Sequence, residues 1–137
     1  MVRELIHDPL LLGRKSRPAT PEDETVCVDL LDTLKAHKET CVGMAANMIG
    51  EHICIIAFVL GDSWMVMRNP QILKASGEYE TEESCLSLLG GPRKTKRFQK
   101  IKVRYQNEAM QVRIRSFEGW TAQIIQHEID HCHGVLI

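Results

Sequence analysis

Periodic apolar positions predict two helices in this chain. The first runs from about Glu22 to His37, because acids cluster at its start and four apolar residues share one helical stripe: Val26, Leu30, Leu31 and Leu34. The second begins at Trp120 and ends at Gly134, since glycine commonly terminates helices. Residues 8–23 contain three prolines and are predicted to be irregular.

Four segments between these helices have the pattern of β-strands. Residues 52–61 are a continuous apolar run that predicts a buried strand, with residues 63–73 as its neighbour. Residues 100–106 and 110–119 alternate between apolar and polar positions and predict a hairpin around residues 107–109. The order of these elements, a helix followed by several strands and then a late helix, predicts an α+β fold. Its β-sheets are expected to be mostly antiparallel around the C-terminal helix, with a helix near the N-terminus.

Composition narrows the classes of function. The length of 137 residues predicts one domain over residues 1–137, and 44% hydrophobic with 26% charged residues is typical of a globular protein. A net charge of −1 argues against a DNA-binding protein, and no apolar run is long enough to span a membrane. The N-terminus does not have the pattern of a signal peptide, so a cytoplasmic protein is expected.

The five cysteines carry little information by themselves. Their number is odd and no pair has CxxC spacing, which favours a reduced chain over a disulfide framework. Most of them are expected to be small buried apolar residues.

The stretch QHEIDHCHG near the C-terminus is a candidate metal site. His127 and His131 lie four residues apart on the predicted helix, so both imidazoles point to the same side, with Glu128 beside them as a base. Such a pair also occurs by chance on exposed helices, and His133 faces roughly the opposite side. Gln126 is a candidate for orienting a neighbouring ligand. Because little chain follows His131, a third ligand is expected from upstream.

Two upstream stretches are candidates for the rest of the site. Cys85 would complete a Cys/His/His ligand set, although an inert buried cysteine is the commoner case. Residues 41–50 are rich in small side chains, which allow a close backbone approach to a ligand but also suit a turn packed in a crowded core.

Together these stretches resemble the three motifs of peptide deformylases. Residues 41–48 are similar to the family's GxGLAAxQ segment, residues 83–87 to EGCLS, and residues 127–131 to HExDH, in the family order. Other stretches resemble the family as well, so the resemblance covers essentially the whole chain.

The resemblance implies a metal-dependent hydrolase that removes the N-formyl group from N-formylmethionyl peptides or nascent chains. Cys85, His127 and His131 would bind one divalent metal ion. Fe2+ is the metal expected in the cell, with Zn2+ or Ni2+ as alternatives. Glu128 would act as general base and then deliver a proton to the leaving amine.

The same resemblance implies four residues that handle the substrate. The backbone N–H of Leu86 would stabilise the oxyanion, Gly43 would pair with the substrate backbone, and Ile124 would line the methionine pocket. The position of Met48 is a glutamine in the family, where its side chain donates a hydrogen bond to the oxyanion. A thioether cannot donate a hydrogen bond.

Smaller departures from the family pattern accompany Met48. Asn47 has an amide, but it is displaced by one residue and is not expected to replace the glutamine. Ser84 stands in place of a glycine and would be strained if a positive φ were needed there. Gln123 occupies a position that is often arginine, whereas Arg97 matches a family arginine.

Three functions remain open from the sequence. The first is a deformylase that is weak or altered because of Met48. The second is a non-catalytic metal-binding homologue that binds peptide N-termini, and the third is a metalloprotease or a structural metal protein. Residues 92–104 carry seven Lys or Arg residues, which raises a transient ribosome contact as a hypothesis beside an ordinary solvated strand face.

Overall fold

The helices of the protein flank one β-sheet. The computed structural model describes residues 1–85 and 88–136, apart from the side chains of residues 88–90. Its α-helices are α1 (Pro9–Leu12), α2 (Glu24–Ala36) and α3 (Gly119–Cys132), and single 3-10 turns cover Pro21–Asp23 and Ala46–Ile49. No helix among the described residues is both long and apolar enough to cross a membrane.

The sheet has five strands that pair in chain order, each antiparallel to the next. The strands are β1 (Gly43–Ala45), β2 (Ile55–Leu60), β3 (Ser63–Cys85), β4 (Leu88–Gln106) and β5 (Val112–Glu118). The predicted α+β class with antiparallel strands, an N-terminal helix and a C-terminal helix is confirmed. The strands described form one sheet rather than several.

Strands β3 and β4 form a much longer hairpin than the sequence predicts. The apolar pattern predicted strands only over residues 63–73 and 100–106, whereas the pairing continues to Cys85 opposite Leu88. In the outer part acids face bases across the ladder: Glu80 opposite Lys96, Glu82 opposite Lys94 and Glu83 opposite Arg93. Opposite charges across a ladder stabilise a ribbon that has no apolar alternation of its own.

The N-terminal region is more regular than expected. Residues 8–23 were predicted to be irregular, but Asp8 accepts a hydrogen bond from Leu10 N–H and caps the short helix α1. Thr20 and Asp23 form a capping box around a 3-10 turn, so the α-helical part of the predicted first helix begins at Glu24.

Strand β2 is buried on both faces, and this places the two helices. Its odd-numbered residues face the core under α2, where Leu30 and Leu34 are fully buried. Its even-numbered residues Ile56 and Phe58 face the core under α3, together with Ile125. The sheet therefore lies between the helices.

Strand β5 is an exposed edge strand. The alternation of apolar and polar residues predicted a strand here. Val112 and Ile114, the apolar residues of that alternation, are nevertheless 45% and 55% exposed. Phe117 is the buried residue of the strand and packs edge-on against Phe58 at a centroid distance of 6.2 Å.

Candidate active site

Helix α3 brings two imidazoles together beside one thiol. His127 and His131 are both buried, and their ring centroids lie 4.6 Å apart. Cys85 is the last residue of β3 and is half-buried. The ligand atoms of these three residues all lie within 4.8 Å of one another, which is close enough for one ion to touch all three.

Asn47 ties the segment of residues 46–49 to the end of α3. Its amide donates to the backbone carbonyls of Leu12 and His131, both at 3.1 Å. Both hydrogens of the amide are used in these two bonds, which agrees with the expectation that Asn47 does not replace the family glutamine. Met48, the next residue, lies on the Cys85 side with its Sδ 3.9 Å from the cysteine Sγ.

The ring of His127 is oriented by an acid from β3. Its Nδ1 lies 2.8 Å from Glu83 Oε1 and donates a proton to this carboxylate, while the ring also forms a hydrogen bond with Cys85. Arg97 donates three hydrogen bonds to the same carboxylate and a further one to Asp130 at 2.7 Å. Gln123 donates to Glu83 Oε2 at 2.9 Å. A metal-binding histidine commonly needs such a support for its second nitrogen.

The charges of this cluster shift the pKa values of its members. Burial on its own raises the pKa of Glu83, but hydrogen bonds from His127, Arg97 and Gln123 outweigh burial and lower it to about 2. For His127, burial lowers the pKa, but Glu128, Cys85 and Glu83 raise it to about 10. The cluster therefore stabilises positive charge at the His127 imidazole, and the same negative charges would also favour a bound cation.

Glu128 is a buried carboxylate beside His131. It is 4% exposed, and its Oε1 lies 3.5 Å from His131 Nδ1. Burial is the main reason why its pKa rises to about 7. A carboxyl group that titrates near neutral pH is suited to accept and return a proton.

A cavity of about 400 Å³ opens beside these groups. Six of the eight residues predicted for the site line it: Gly43, Met48, Cys85, Ile124, His127 and Glu128. His131 lies in the ligand cluster without lining the cavity, and Leu86 lies outside the described residues.

Gly43 is a glycine because of its contacts with α3. A Cβ at this position would lie 2.8 Å from both Glu128 Oε2 and Ile124 Cγ2, closer than atoms of real side chains approach. The absence of a side chain thus lets β1 pass directly over Glu128. Cys41 donates its S–H to the Gly43 carbonyl at 2.9 Å, and burial raises the pKa of this thiol to about 12, so it stays protonated.

One expectation about a supporting residue needs correction, and an open alternative for another is decided. Gln126 does not orient a histidine: it pairs with the backbone N–H and carbonyl of Phe98 and so attaches α3 to β4. Ser84 has no positive φ, since the non-glycine residues with positive φ are Asn69 and Met110 among those described. Replacement of glycine by Ser84 is therefore unstrained.

Glu83 was missed as a site residue, although the sequence contained a signal. Residues i and i+2 of a strand lie on the same face, so Glu83 and Cys85 face the same side of β3. An acid at that spacing from a candidate ligand could have been proposed as a partner for a histidine.

Comparison with known proteins identifies the family. The family model named polypeptide deformylase matches residues 4–137. The chain belongs to the polypeptide deformylase family. It is 50% identical over 137 residues to a peptide deformylase of Clostridium beijerinckii, with both chains covered completely.

Solved structures of deformylases share the fold. The crystal structure of the peptide deformylase from Thermotoga maritima has a TM-score of 0.88 at 27% identity and covers 99% of this chain and 95% of its own. The peptide deformylase from Thermus thermophilus has a TM-score of 0.88 at 33% identity, with 99% and 83% covered. The predicted family and the prediction of an enzyme of the peptide deformylase class are thereby confirmed.

Proposed function

We propose that this deformylase-family enzyme hydrolyses the N-formyl group of N-formylmethionyl peptides, at a rate reduced by Met48. The observation that carries the proposal is the meeting of three donor atoms within 4.8 Å of one another, on the wall of a cavity that Glu128 also lines. The residues proposed as metal ligands are Cys85, His127 and His131, with Glu128 as the base.

The residues present fit a divalent metal ion. One thiolate and two imidazoles are a donor set suited to Fe2+, Zn2+ or Ni2+, and Fe2+ is the metal we propose in the cell. Glu83 holds the Nδ1 proton of His127 and thereby leaves Nε2 to bind the ion. When bound, the metal supplies Lewis acidity, which makes a water molecule more acidic and polarises the formyl carbonyl.

Glu128 moves the proton that the reaction requires. It takes a proton from the attacking water and delivers it to the leaving amine, so that the N-formyl amide and water become formate and a free amino terminus. Its pKa of about 7 places both steps within reach near neutral pH.

The substrate lies along β1 and against α3. Because Gly43 has no side chain, its backbone can pair with an extended peptide beside Glu128. Ile124 lines the cavity and is one turn before His127, where it would contact the methionine side chain. Leu86 is proposed to contribute a backbone N–H to the oxyanion.

With Met48 in place of glutamine, the proposed site lacks one hydrogen-bond donor to the oxyanion. The family glutamine would donate a hydrogen bond to the oxyanion, whereas a methionine sulfur has no hydrogen to donate. Loss of one oxyanion donor typically costs about 10²–10³ in turnover. The chain is thus proposed to be a slow deformylase, or one adapted to a different N-acyl group.

Formate release from a short N-formylmethionyl peptide tests the proposal. Protein prepared without oxygen and loaded with Fe2+ is compared with Glu128→Ala and with Met48→Gln. We expect slow turnover in the parent, none in Glu128→Ala, and about 100-fold faster turnover in Met48→Gln. If neither the parent nor Met48→Gln turns over with one metal ion bound, the proposed hydrolase function is wrong.

A second function is favoured by Met48 itself. A chain that keeps the metal site but has lost an oxyanion donor would also serve as a non-catalytic homologue that binds peptide N-termini. Binding of the peptide by a parent that does not turn over would support it.

The proposed compartment is the cytoplasm, where chains that begin with formylmethionine are made. A transient ribosome contact through residues 92–104 has weak support, because several of the bases there face acids across the β3–β4 ladder.

A further inference from the structure

The inner part of the β3–β4 ladder places two positive charges opposite each other. Lys74 on β3 is the pairing partner of Lys102 on β4. Like charges directly opposite each other destabilise a sheet. In the outer part of the same ladder bases face acids instead, as Lys94 does opposite Glu82. Stability therefore does not explain why two lysines face each other in the inner part.

The two lysines belong to a larger group of cations on one face of the sheet. Lys100 and Arg104 lie two residues before and after Lys102, so the three side chains point to the same side of β4. On the adjacent strand β5, Ser116 pairs with Lys102 and Ile114 pairs with Arg104, so neither cation has an acid opposite it. All four cations are exposed. We call them the basic face: Lys74, Lys100, Lys102 and Arg104.

Ion pairing leaves most of this positive charge unneutralised. Among the residues that the structure describes, Lys74, Lys102 and Arg104 form no ion pair. Lys100 lies 4.0 Å from Glu118, but the two side chains are 71% and 75% exposed, so water screens their attraction. The basic face is thus a local concentration of positive charge on a chain whose net charge is −1.

The basic face is concave. A groove of about 650 Å³ runs across β3, β4 and β5, and its polar lining residues are Lys74, Ser76, Lys100, Lys102, Ser116 and Glu118. Ile101 and Val103, which alternate with these lysines on β4, pack in the core under α3. The groove therefore lies on the side of the sheet away from α3 and from the candidate metal ligands on that helix. A flat membrane surface would not fill such a groove, whereas a narrow chain of anionic groups would.

We propose that the basic face binds the phosphate backbone of an RNA strand. A nucleic-acid strand carries one negative charge at each phosphate, which complements a row of cations two residues apart along β4. The hydroxyls of Ser76 and Ser116 line the groove and can donate to phosphate oxygens or pair with the 2′-hydroxyl that RNA has and DNA lacks. Aromatic side chains that stack on bases are not among the exposed residues of the groove, so binding should not depend on base sequence. The inference does not rest on the proposed hydrolysis.

Two double variants on the same ladder test the proposal. Lys74→Gln/Lys102→Gln removes the two lysines that face each other. The matched control Lys94→Gln/Lys96→Gln removes two exposed lysines that face acids. Because the first variant loses a repulsive pair, its Tm should be at least as high as that of the parent, so unfolding would not explain a loss of RNA binding in it.

Fluorescence anisotropy of a labelled oligouridine RNA of about 15 nucleotides measures the dissociation constants. If the four cations each contact a phosphate, the affinity of the parent should fall about 50-fold between about 50 mM and about 200 mM salt. Lys74→Gln/Lys102→Gln should bind about 25-fold more weakly than the parent at about 0.1 M salt, with a correspondingly smaller salt dependence. The control variant should bind within about twofold of the parent, because its lysines are already paired with acids.

Several results would overturn the proposal. No binding by the parent at about 50 mM salt, or an equal loss of affinity in both double variants, would show that the basic face is an ordinary solvated surface. Equal affinity for DNA of the same length, for polyglutamate or for vesicles that contain phosphatidylserine would assign the face to another anionic partner. Formate release should be the same in Lys74→Gln/Lys102→Gln as in the parent, so this inference and the proposed function can fail separately.

Discussion

Glu83 Oε1 lies 2.8 Å from His127 Nδ1, although 44 positions separate the two residues in the chain. The carboxylate also accepts hydrogen bonds from Arg97 and Gln123, so its position is fixed from three sides. Glu83, on β3, thus determines which ring nitrogen of His127, on α3, faces the cavity.

Glu83→Gln should weaken metal binding and destabilise the protein. An amide cannot neutralise Arg97 and orients His127 less firmly, so we expect a metal affinity about 10–100-fold lower. Loss of the buried ion pair is expected to cost about 3 kcal/mol of unfolding free energy. Metal titration and denaturant unfolding check both effects. Glu80→Gln is the control, because Glu80 is an exposed acid on the same strand. Equal metal affinity in both variants would contradict the orienting role.

Glu128→Gln should stabilise the metal-free protein in a pH-dependent way. The pKa of Glu128 in the fold is about 7, above its ordinary value of 4.5, so the folded state holds the proton more tightly than the unfolded state. The unfolding free energy of the parent therefore falls as pH rises through about 7. The glutamine variant has no carboxyl group at this position, so its unfolding free energy lacks this contribution. The difference between the two proteins should grow by about 3 kcal/mol from about pH 4 to about pH 8.

Urea unfolding of the metal-free proteins across this pH range measures that difference. A gap that stays constant with pH would show that the pKa of Glu128 is near its ordinary value, which would contradict the proposed role of Glu128 as the base.

Gly43→Ala should impair turnover more than folding. The new Cβ would lie 2.8 Å from Glu128 Oε2, so the base must move, and a displacement on the order of 1 Å costs about 10²-fold in rate. Overpacking should lower the unfolding free energy by about 1–3 kcal/mol. Formate release is measured in the faster Met48→Gln background.

Gly61→Ala is the control for Gly43→Ala. Its Cβ meets no atom within 4 Å, but its φ of +61° costs an alanine about 1–2 kcal/mol. We expect a loss of stability with normal turnover. A normal rate in Gly43→Ala as well would rule out the close approach of β1 to the base.

Asn47→Asp should destabilise the protein more than Asn47→Leu does. The Asn47 amide donates to the carbonyls of Leu12 and His131, and leucine simply removes these two bonds, at a cost of about 2 kcal/mol. Aspartate adds a buried carboxylate against two carbonyl oxygens, which raises the cost further. Denaturant unfolding ranks the variants, and an aspartate variant as stable as the leucine one would show that the site opens to water.

Sequence patterns predicted much of the framework of the fold. The stripe through Leu30 and Leu34 predicted α2, because a helix buried on one face has apolar residues at helical spacing. The run of residues 52–61 predicted β2, because a strand buried on both faces is continuously apolar. The outer hairpin of β3 and β4 escaped prediction, since its charged residues are paired across strands and neither strand shows the pairing alone.

The sequence by itself determined which groups are available for chemistry: two histidines at helical spacing, an acid beside them, one cysteine in a family-like stretch, and methionine where the family has glutamine. Only the tertiary structure decided how these groups meet. The 3.9 Å between Met48 and Cys85 and the support of His127 by Glu83 depend on antiparallel pairing between strands and on the packing of α3 against the sheet. Contacts between residues far apart in the chain are determined by all the elements between them, so no local pattern records them.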